Sequence, residues 1–187
     1  MIFLEDERTT KLRPEILKYF ISSVMTDTER AQLLGLPSGC RVRENAKILA
    51  PENFQCGECV WIGEGAILDA QGGLKIGNHT SIGLNVMVWS HTSYLTNLAM
   101  DNAGGSSLIR KSPTAIGDGC FIGGPTVIYP GVTIGNRVVV LPMSAVTHDV
   151  PSNSMVGGSP AKLIREITDE WIEAEVKKAL EERKLSD

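Results

Sequence analysis

Residues 116–151 read IGDGCF, IGGPTV, IYPGVT, IGNRVV, VLPMSA and VTHDVP when the chain is divided into sixes. Each hexad begins with an aliphatic residue, namely Ile116, Ile122, Ile128, Ile134, Val140 or Val146. A six-residue period does not match the 3.6-residue helical turn, so an α-helix would spread these side chains around its circumference. A short strand followed by a tight turn, three per coil, would instead place them all on one axis. The stretch therefore predicts a solenoid whose stacked coils bury a continuous aliphatic column.

The same period extends towards the N-terminus. Hexads begin at Ile76, Ile82 and Val88, and Ile62 and Leu68 continue the series with a two-residue insertion at Gly72–Gly73. Weaker early turns are expected at Val42, Ile48 and Phe54. The fifth position of the hexads is small or β-branched, as at Ala66, Thr80, Val86, Cys120, Thr126, Val132, Val138 and Ser144. The prediction is an all-β solenoid over residues 42–167.

Three segments fall outside the repeat. Residues 93–113 form a long polar excursion, and loops of that length in compact domains are usually either functional or disordered. Residues 1–41 are predicted to be a helical segment, with a helix from Pro14 to Leu36. Residues 168–187 are predicted to form a C-terminal helix that Thr168 caps and that could lie against the end of the solenoid.

Composition and charge exclude several classes of protein. The 187 residues are 42% hydrophobic with a net charge of −4, which is typical of a globular chain. The sequence has no basic stripe of the kind that binds nucleic acids, and it has no apolar run long enough to predict a membrane span. Without an export signal the expected location is the cytoplasm, where the four cysteines would be reduced. The Cys56-Gly-Glu-Cys59 motif lacks the second pair that a zinc ribbon needs, so no metal is expected.

The segment from about Trp61 to Arg165 resembles the hexapeptide-repeat sugar acetyltransferases. This group includes the galactoside, maltose and streptogramin acetyltransferases and polysaccharide-cluster relatives. The resemblance rests on the hexads, the excursion after VWSHT, the block TAIGDGCFIGGPTVIYPGVTIG and the ending DVPSNSMVGGSPAKLIREI. It implies a left-handed parallel β-helix, a homotrimer with active sites between subunits, and acetyl-CoA as the donor.

The resemblance also implies that His91, at the junction with the excursion, is the general base. A sugar hydroxyl is a poor nucleophile, and an imidazole that titrates near neutrality can take its proton during direct transfer. His79 is expected at the surface. The spacing of the histidines does not match the three-histidine zinc site of the γ-class carbonic anhydrases, which share this solenoid.

A coenzyme A groove follows from the same resemblance. Its expected residues are Gly123, Gly124, Pro142, Ser144, Thr147, His148, Lys162 and Arg165. Lys162 and Arg165 would supply positive charge for the 3′-phosphate. His148 stands where relatives carry a lysine, and Leu141-Pro142-Met143 departs from their small-Ala-Gly sequence. Phe121 stands where many relatives have a tryptophan and is expected to form an apolar wall.

The acceptor side is predicted to involve Asp69, Trp89 and Tyr94. Asp69 resembles an acidic position that binds sugar hydroxyls in relatives, although a turn aspartate is an equal alternative. Trp89 and Tyr94 would stack on a sugar ring or pack at the subunit seam. The predicted reaction is O-acetylation of a sugar or glycan. The alternatives are N-acylation of a nucleotide-linked amino sugar, for which a nucleotide-binding domain before residue 42 is missing, and a non-enzymatic structural solenoid.

Overall fold

The computed structural model describes residues 24–100 and 108–184. The helices are α1 (Asp27–Leu33), α2 (Tyr94–Leu98) and α3 (Asp169–Lys184), and Pro51–Asn53 form a 3₁₀ turn. The strands are β1 (Arg41–Val42), β2 (Lys47–Leu49), β3 (Phe54–Cys56), β4 (Trp61–Ile62), β5 (Ile67–Asp69), β6 (Leu74–Ile76), β7 (Ser81–Ile82), β8 (Met87–Val88), β9 (His91–Thr92), β10 (Arg110–Lys111), β11 (Thr114–Ile116), β12 (Phe121–Ile122), β13 (Val127–Ile128), β14 (Thr133–Ile134), β15 (Val139–Val140), β16 (Ala145–Val146), β17 (Ser154–Gly157) and β18 (Lys162–Glu166).

The strands form the three parallel faces of a left-handed β-helix of about five turns, as predicted. Face 1 contains β1, β4, β7, β12, β15 and β17, with β18 added antiparallel at its end. Face 2 contains β2, β5, β8, β13 and β16, and face 3 contains β3, β6, β11 and β14. The excursion leaves through β9 and returns through β10, which form a separate antiparallel pair.

The aliphatic residue that begins each hexad lies on the axis of the solenoid. Ile82, Ile122 and Ile128 have no exposed surface, and equivalent residues of neighbouring coils stack on one another. Burying such a side chain stabilises the fold by roughly 1.5–3 kcal/mol. The predicted phase is therefore confirmed from Ile62 to Val146.

The phase of the first coil differs from the sequence prediction at one position. Cys56, not Phe54, pairs with Ile76 and occupies the axial position, while Phe54 pairs with Leu74. The 3₁₀ turn at Pro51–Asn53 adds residues at this corner, which moves the axial position two residues along the chain.

The N-terminal helix of the described part is short. α1 begins at a capping box in which Thr26 accepts from the backbone N–H of Glu29, and Thr26 itself is extended. The prediction of one continuous helix from Pro14 to Leu36 is therefore wrong at Thr26, where α1 begins. The part of that prediction before residue 24 lies outside the described residues. The guanidinium of Arg30 donates to the carbonyl oxygen of Val42 at 2.6 Å, which attaches α1 to the first coil.

The C-terminal helix has the predicted limits but not the predicted packing. Thr168 Oγ1 accepts from the N–H of Trp171 at 3.2 Å. None of the residues of α3 is buried, so α3 does not cover the end of the solenoid. That end is closed by β18 and by the buried Ile167. Within the described ranges, no helix is long and apolar enough to cross a lipid bilayer.

Candidate functional site

His91 begins β9, at the corner where the third coil leaves the solenoid for the excursion. Its side chain is 19% exposed, so one part of the ring faces protein and another remains accessible. Because β8 stacks between β5 and β13, the backbone that leads into His91 is held by the neighbouring coils. The solenoid therefore presents the imidazole from a rigid support.

Asp69, which ends β5 one coil away, lies against His91. Its Oδ2 atom is 2.6 Å from His91 Nδ1 and also accepts from the backbone N–H of Ser90 at 2.9 Å and from Ser90 Oγ at 3.2 Å. Oδ1 accepts from the N–H of Gln71 at 3.1 Å. Burial raises the pKa of Asp69, but the hydrogen bonds from Ser90, His91 and Gln71 together lower it below its usual value. An ionised carboxylate can only accept, so this contact assigns a proton to His91 Nδ1, and in the neutral imidazole the free lone pair is then on Nε2.

This arrangement differs from the expected role of Asp69 as an acceptor ligand. The side chain has no exposed surface, and its oxygens are used by the contacts with His91, Ser90 and Gln71. In this chain it can orient the imidazole but cannot reach a sugar. The sequence did not indicate the pairing because the two residues lie on successive coils.

The returning strand of the excursion supports the same segment. The N–H of Ser112 donates to the carbonyl oxygen of Ser90 at 2.8 Å, and Thr114 Oγ1 donates to the carbonyl oxygen of Trp89 at 2.6 Å. On the other side, the N–H of Gly72 donates to Ser90 Oγ at 2.8 Å. A Cβ at Gly72 would lie 1.9 Å from the Ser90 carbonyl oxygen, so only glycine fits there. None of these supporting residues was singled out from the sequence.

The two predicted aromatic residues are placed differently. Trp89 is partly buried and its ring lies edge-on to His91, with centroids 6.5 Å apart at 72°. Tyr94, the first residue of α2, is 50% exposed. Trp89 therefore forms a wall beside the imidazole, whereas Tyr94 stands at the start of the excursion.

Six of the predicted coenzyme residues lie along the corners that flank face 2. Gly123, Gly124 and Pro142 lie at the corner between faces 1 and 2, and Ser144 precedes β16. A Cβ at Gly124 would lie 1.8 Å from the carbonyl oxygen of Leu84, so the stacking of the coils alone requires glycine. Ser144 is buried and donates to the carbonyl oxygen of Leu141 at 2.6 Å.

Of the other four predicted coenzyme residues, Thr147 is half-buried, and His148, Lys162 and Arg165 are exposed. Thr147 Oγ1 lies 2.9 Å from His148 Nδ1, immediately after β16. Lys162 and Arg165 are on β18, and the guanidinium of Arg165 lies 4.6 Å from the centre of the Trp171 ring. Such stacking orients the guanidinium without occupying its N–H groups. Trp171 was not identified from the sequence. No sequence motif marks the contact between Arg165 and Trp171, because it depends on how the helix α3 follows β18.

The cysteines and the histidines show no grouping typical of a metal centre. All four cysteines are free, and burial, together with the neighbouring Cys40, raises the pKa of Cys56 to about 12. A cavity of about 430 Å³ lies beside Cys56 at the N-terminal end, where it is also lined by Leu36, Ile48 and Phe54. In residues 24–100 and 108–184, no three His, Cys, Asp or Glu side chains are placed to hold an ion together.

Comparisons with known proteins identify sequences and folds that the chain resembles. A family profile described as the hexapeptide repeat of succinyl-transferase matches residues 113–141. The putative colanic acid biosynthesis acetyltransferase WcaF of Escherichia coli K12 is 34% identical over 125 residues, which are 67% of this chain and 65% of that protein. The match thus spans slightly less than two thirds of the length of this curated relative.

Two solved structures resemble most of the chain. The hexapeptide-repeat acetyltransferase VCA0836 of Vibrio cholerae, in complex with acetyl-CoA, is 28% identical with a TM-score of 0.56, over 90% of this chain and 94% of that chain. A maltose O-acetyltransferase of Clostridium difficile 630 is 26% identical with a TM-score of 0.57, over 88% and 90% of the two chains.

Proposed function

We propose that this chain, which belongs to the hexapeptide-repeat acetyltransferase family, transfers an acetyl group from acetyl-CoA to a hydroxyl of a sugar or glycan. The observation that carries the proposal is the contact of 2.6 Å between the buried carboxylate of Asp69 and His91 Nδ1. It leaves His91 Nε2 as an accessible base at the mouth of the excursion. The similar structure from Vibrio cholerae, which was solved with acetyl-CoA, supports the donor. The similar maltose O-acetyltransferase of Clostridium difficile supports the acceptor class.

The proposed reaction is a single direct transfer. As the acceptor oxygen attacks the thioester carbonyl carbon, His91 Nε2 takes the hydroxyl proton, and a new C–O bond forms. The C–S bond then breaks, and the imidazolium returns the proton to the departing thiolate. Asp69 stabilises the imidazolium between these steps, because its carboxylate is already ionised and hydrogen-bonded to Nδ1. General base catalysis of this kind contributes about 10²–10⁴-fold.

The donor is proposed to bind along the corners beside face 2. Gly123, Gly124 and Pro142 lie at one of them, and Thr147 and His148 lie at the other, after β16. Ser144 supports the corner from inside, because its hydroxyl is used by Leu141 and Gly158. Lys162 and Arg165 are exposed beyond the last coil and suit the 3′-phosphate, since both are cationic in a chain that is acidic overall.

We also propose that the active molecule is a homotrimer. The outward residues of faces 1 and 2 are largely apolar, whereas those of face 3 are mostly polar. The apolar set is Trp61, Phe121, Val139 and Met155 on face 1 and Ile67, Met87, Val127 and Ala145 on face 2. Contact between two different faces of neighbouring copies is heterologous and can close into a ring. Light scattering coupled to size exclusion should give a trimer mass, and a monomer at micromolar concentration would contradict shared sites.

The location proposed for this reaction is the cytoplasm. Its support is the free state of all four cysteines, one of which, Cys59, is exposed. Such a thiol is typical of a reducing compartment. A thiol-reactive mass tag applied to protein from intact cells should modify Cys59, and an oxidised Cys59 would contradict the location.

Acetyl transfer is tested by following CoA release with a panel of sugars, glycans and nucleotide-linked amino sugars. Products labelled from acetyl-CoA are then treated with neutral hydroxylamine, which cleaves esters and leaves amides. We expect a cleavable product, because a hydroxyl needs the positioned base that His91 provides and an amine needs it less. A resistant product would instead establish N-acylation, and a panel without any turnover would favour a structural solenoid.

A further inference from the structure

Two basic residues lie on the strand that returns beside His91. Within the antiparallel pair of β9 and β10, Lys111 is directly opposite His91, and Arg110 is opposite Thr92. The N–H of Ser112 donates to the carbonyl oxygen of Ser90, so the pair of His91 and Lys111 is the next, non-hydrogen-bonded position of the ladder. Residues opposite each other at such a position have their side chains on the same side and close together. Lys111 is therefore a direct neighbour of the imidazole.

Among the described residues, neither basic side chain has a partner that would fix it in the fold. Both are exposed, and neither has an ion pair with any residue of the ranges 24–100 and 108–184. Apart from His91, Arg110 and Lys111 are the only residues with a basic or acidic side chain among the described residues from 80 to 117. The carboxylate in contact with His91, Asp69, is buried and is used by His91, Ser90 and Gln71. Two exposed cationic side chains therefore lie beside the strand that carries His91, although the chain as a whole is acidic.

We propose that Arg110 and Lys111 bind an anionic group of the acceptor, a carboxylate or a phosphate, and place the hydroxyl to be acetylated at His91 Nε2. The inference rests on the proposed acetyl transfer and names the acceptor class more closely. The phosphates of the donor do not suit this position, because the pantetheine arm separates them from the thioester, and the thioester must lie at His91. An arginine fork and a lysine side by side can hold a carboxylate or a phosphate through several charge-assisted hydrogen bonds.

The geometry gives the subsite an orienting function. β10 is held by β9 and by the Ser112 hydrogen bond, so the two cations have a fixed offset from the base. An acceptor held at its anionic group presents only those hydroxyls that lie at the matching distance. The expected consequence is selectivity for one hydroxyl, in addition to tighter binding of the acceptor.

The test compares three acceptors that share one sugar ring: a neutral hexoside, the corresponding hexuronic acid glycoside and the hexose phosphate. The variant is Arg110→Gln with Lys111→Gln, and the charge-matched control is Lys177→Gln with Lys178→Gln on the exposed helix α3. We expect the wild type to favour one anionic acceptor over the neutral one by about 10- to 100-fold in kcat/KM. The subsite variant should lose that preference, measured as the ratio of kcat/KM for the anionic acceptor to that for the neutral one, whereas the control should keep the ratio of the wild type.

Several results would overturn the proposal. Equal use of the neutral and anionic acceptors by the wild type would show that there is no anion subsite. An equal loss for all three acceptors would show that β10 only supports the fold of the site. A raised KM for acetyl-CoA with the acceptor preference intact would assign the two residues to the donor.

Binding without the donor separates this inference from the proposed function. Saturation-transfer NMR of the three acceptors in the absence of acetyl-CoA should show stronger binding of the carboxylate or the phosphate to the wild type than to the subsite variant. Anion-dependent binding without any acetyl transfer would contradict the proposed function and leave the subsite standing. Acetyl transfer without anion-dependent binding would contradict the subsite alone.

Discussion

Replacement of Asp69 by Asn tests whether the buried carboxylate acts through His91. Asn has nearly the same shape and can adopt two orientations. With its amide oxygen towards His91 and Ser90, only the N–H of Gln71 loses its acceptor, and His91 keeps its proton on Nδ1. The reverse orientation leaves the N–H of Ser90 without an acceptor, which costs more because Ser90 is fully buried and Gln71 is only partly buried. The first orientation is therefore favoured, and the variant removes the charge while it preserves the tautomer.

The size of the effect follows from that lost charge. A hydrogen bond to a charged group contributes about 1.5–3 kcal/mol, and a neutral one contributes about 0.5–1.5 kcal/mol. The imidazolium forms only as the hydroxyl proton is taken, so the difference of about 1–2 kcal/mol falls on the transition state. Asp69→Asn should therefore lower kcat about 5- to 30-fold and leave both KM values nearly unchanged.

The assay is steady-state kinetics across a range of pH. The matched control is Asp118→Asn, which makes the same chemical change where Oδ1 accepts from the N–H of Asn78 at an exposed corner. A kcat equal to that of the wild type would refute the coupling. A higher KM for the acceptor at unchanged kcat would return Asp69 to the role of a substrate ligand.

Four further outcomes are expected. His91→Ala should lower kcat about 10²–10⁴-fold with an unchanged circular dichroism spectrum, and an equally active variant would remove His91 from the mechanism. Lys162→Ala with Arg165→Ala should raise the KM for acetyl-CoA far more than that for a dephospho-CoA donor, whereas equal weakening would show that the pair does not contact the 3′-phosphate. Gly124→Ala should lower the unfolding free energy by about 3 kcal/mol or more in denaturant melts, because its Cβ would lie 1.8 Å from the carbonyl oxygen of Leu84 in the preceding coil. Stability of the wild type should fall as the pH drops through the lowered pKa of Asp69, and Asp69→Asn should lack that part of the acid dependence.

The axial positions could be predicted from the sequence because one physical constraint repeats at each of them. Every coil must fill the same narrow interior, so Ile122 and Ile128 follow from the period alone. The axial position of Cys56 could not be predicted, since the 3₁₀ turn before it changes the phase without a repeated signal. The pairing of Asp69 with His91 was missed for a related reason. The pairing depends on the number of residues in each coil, and the Gly72–Gly73 insertion changes that number.

All the departures from the regular coil occur at one corner of the solenoid, between faces 2 and 3. The first coil has Pro51–Asn53 there, the second has Gly72–Gly73, and the third has the whole excursion from residue 93 to 113. The ladder is undisturbed by these insertions, because β11 still pairs with β6 in register, with Thr114 opposite Leu74.

An insertion at this corner therefore costs no strand pairing and leaves the axial column intact. Asp69 and His91 lie at the same corner, on successive coils. The base is thus fixed by the rigid stack, while the segment that returns beside it, with Arg110 and Lys111, belongs to the insertion. Such a division lets the residues that recognise the acceptor vary without any change in the residues that hold the base.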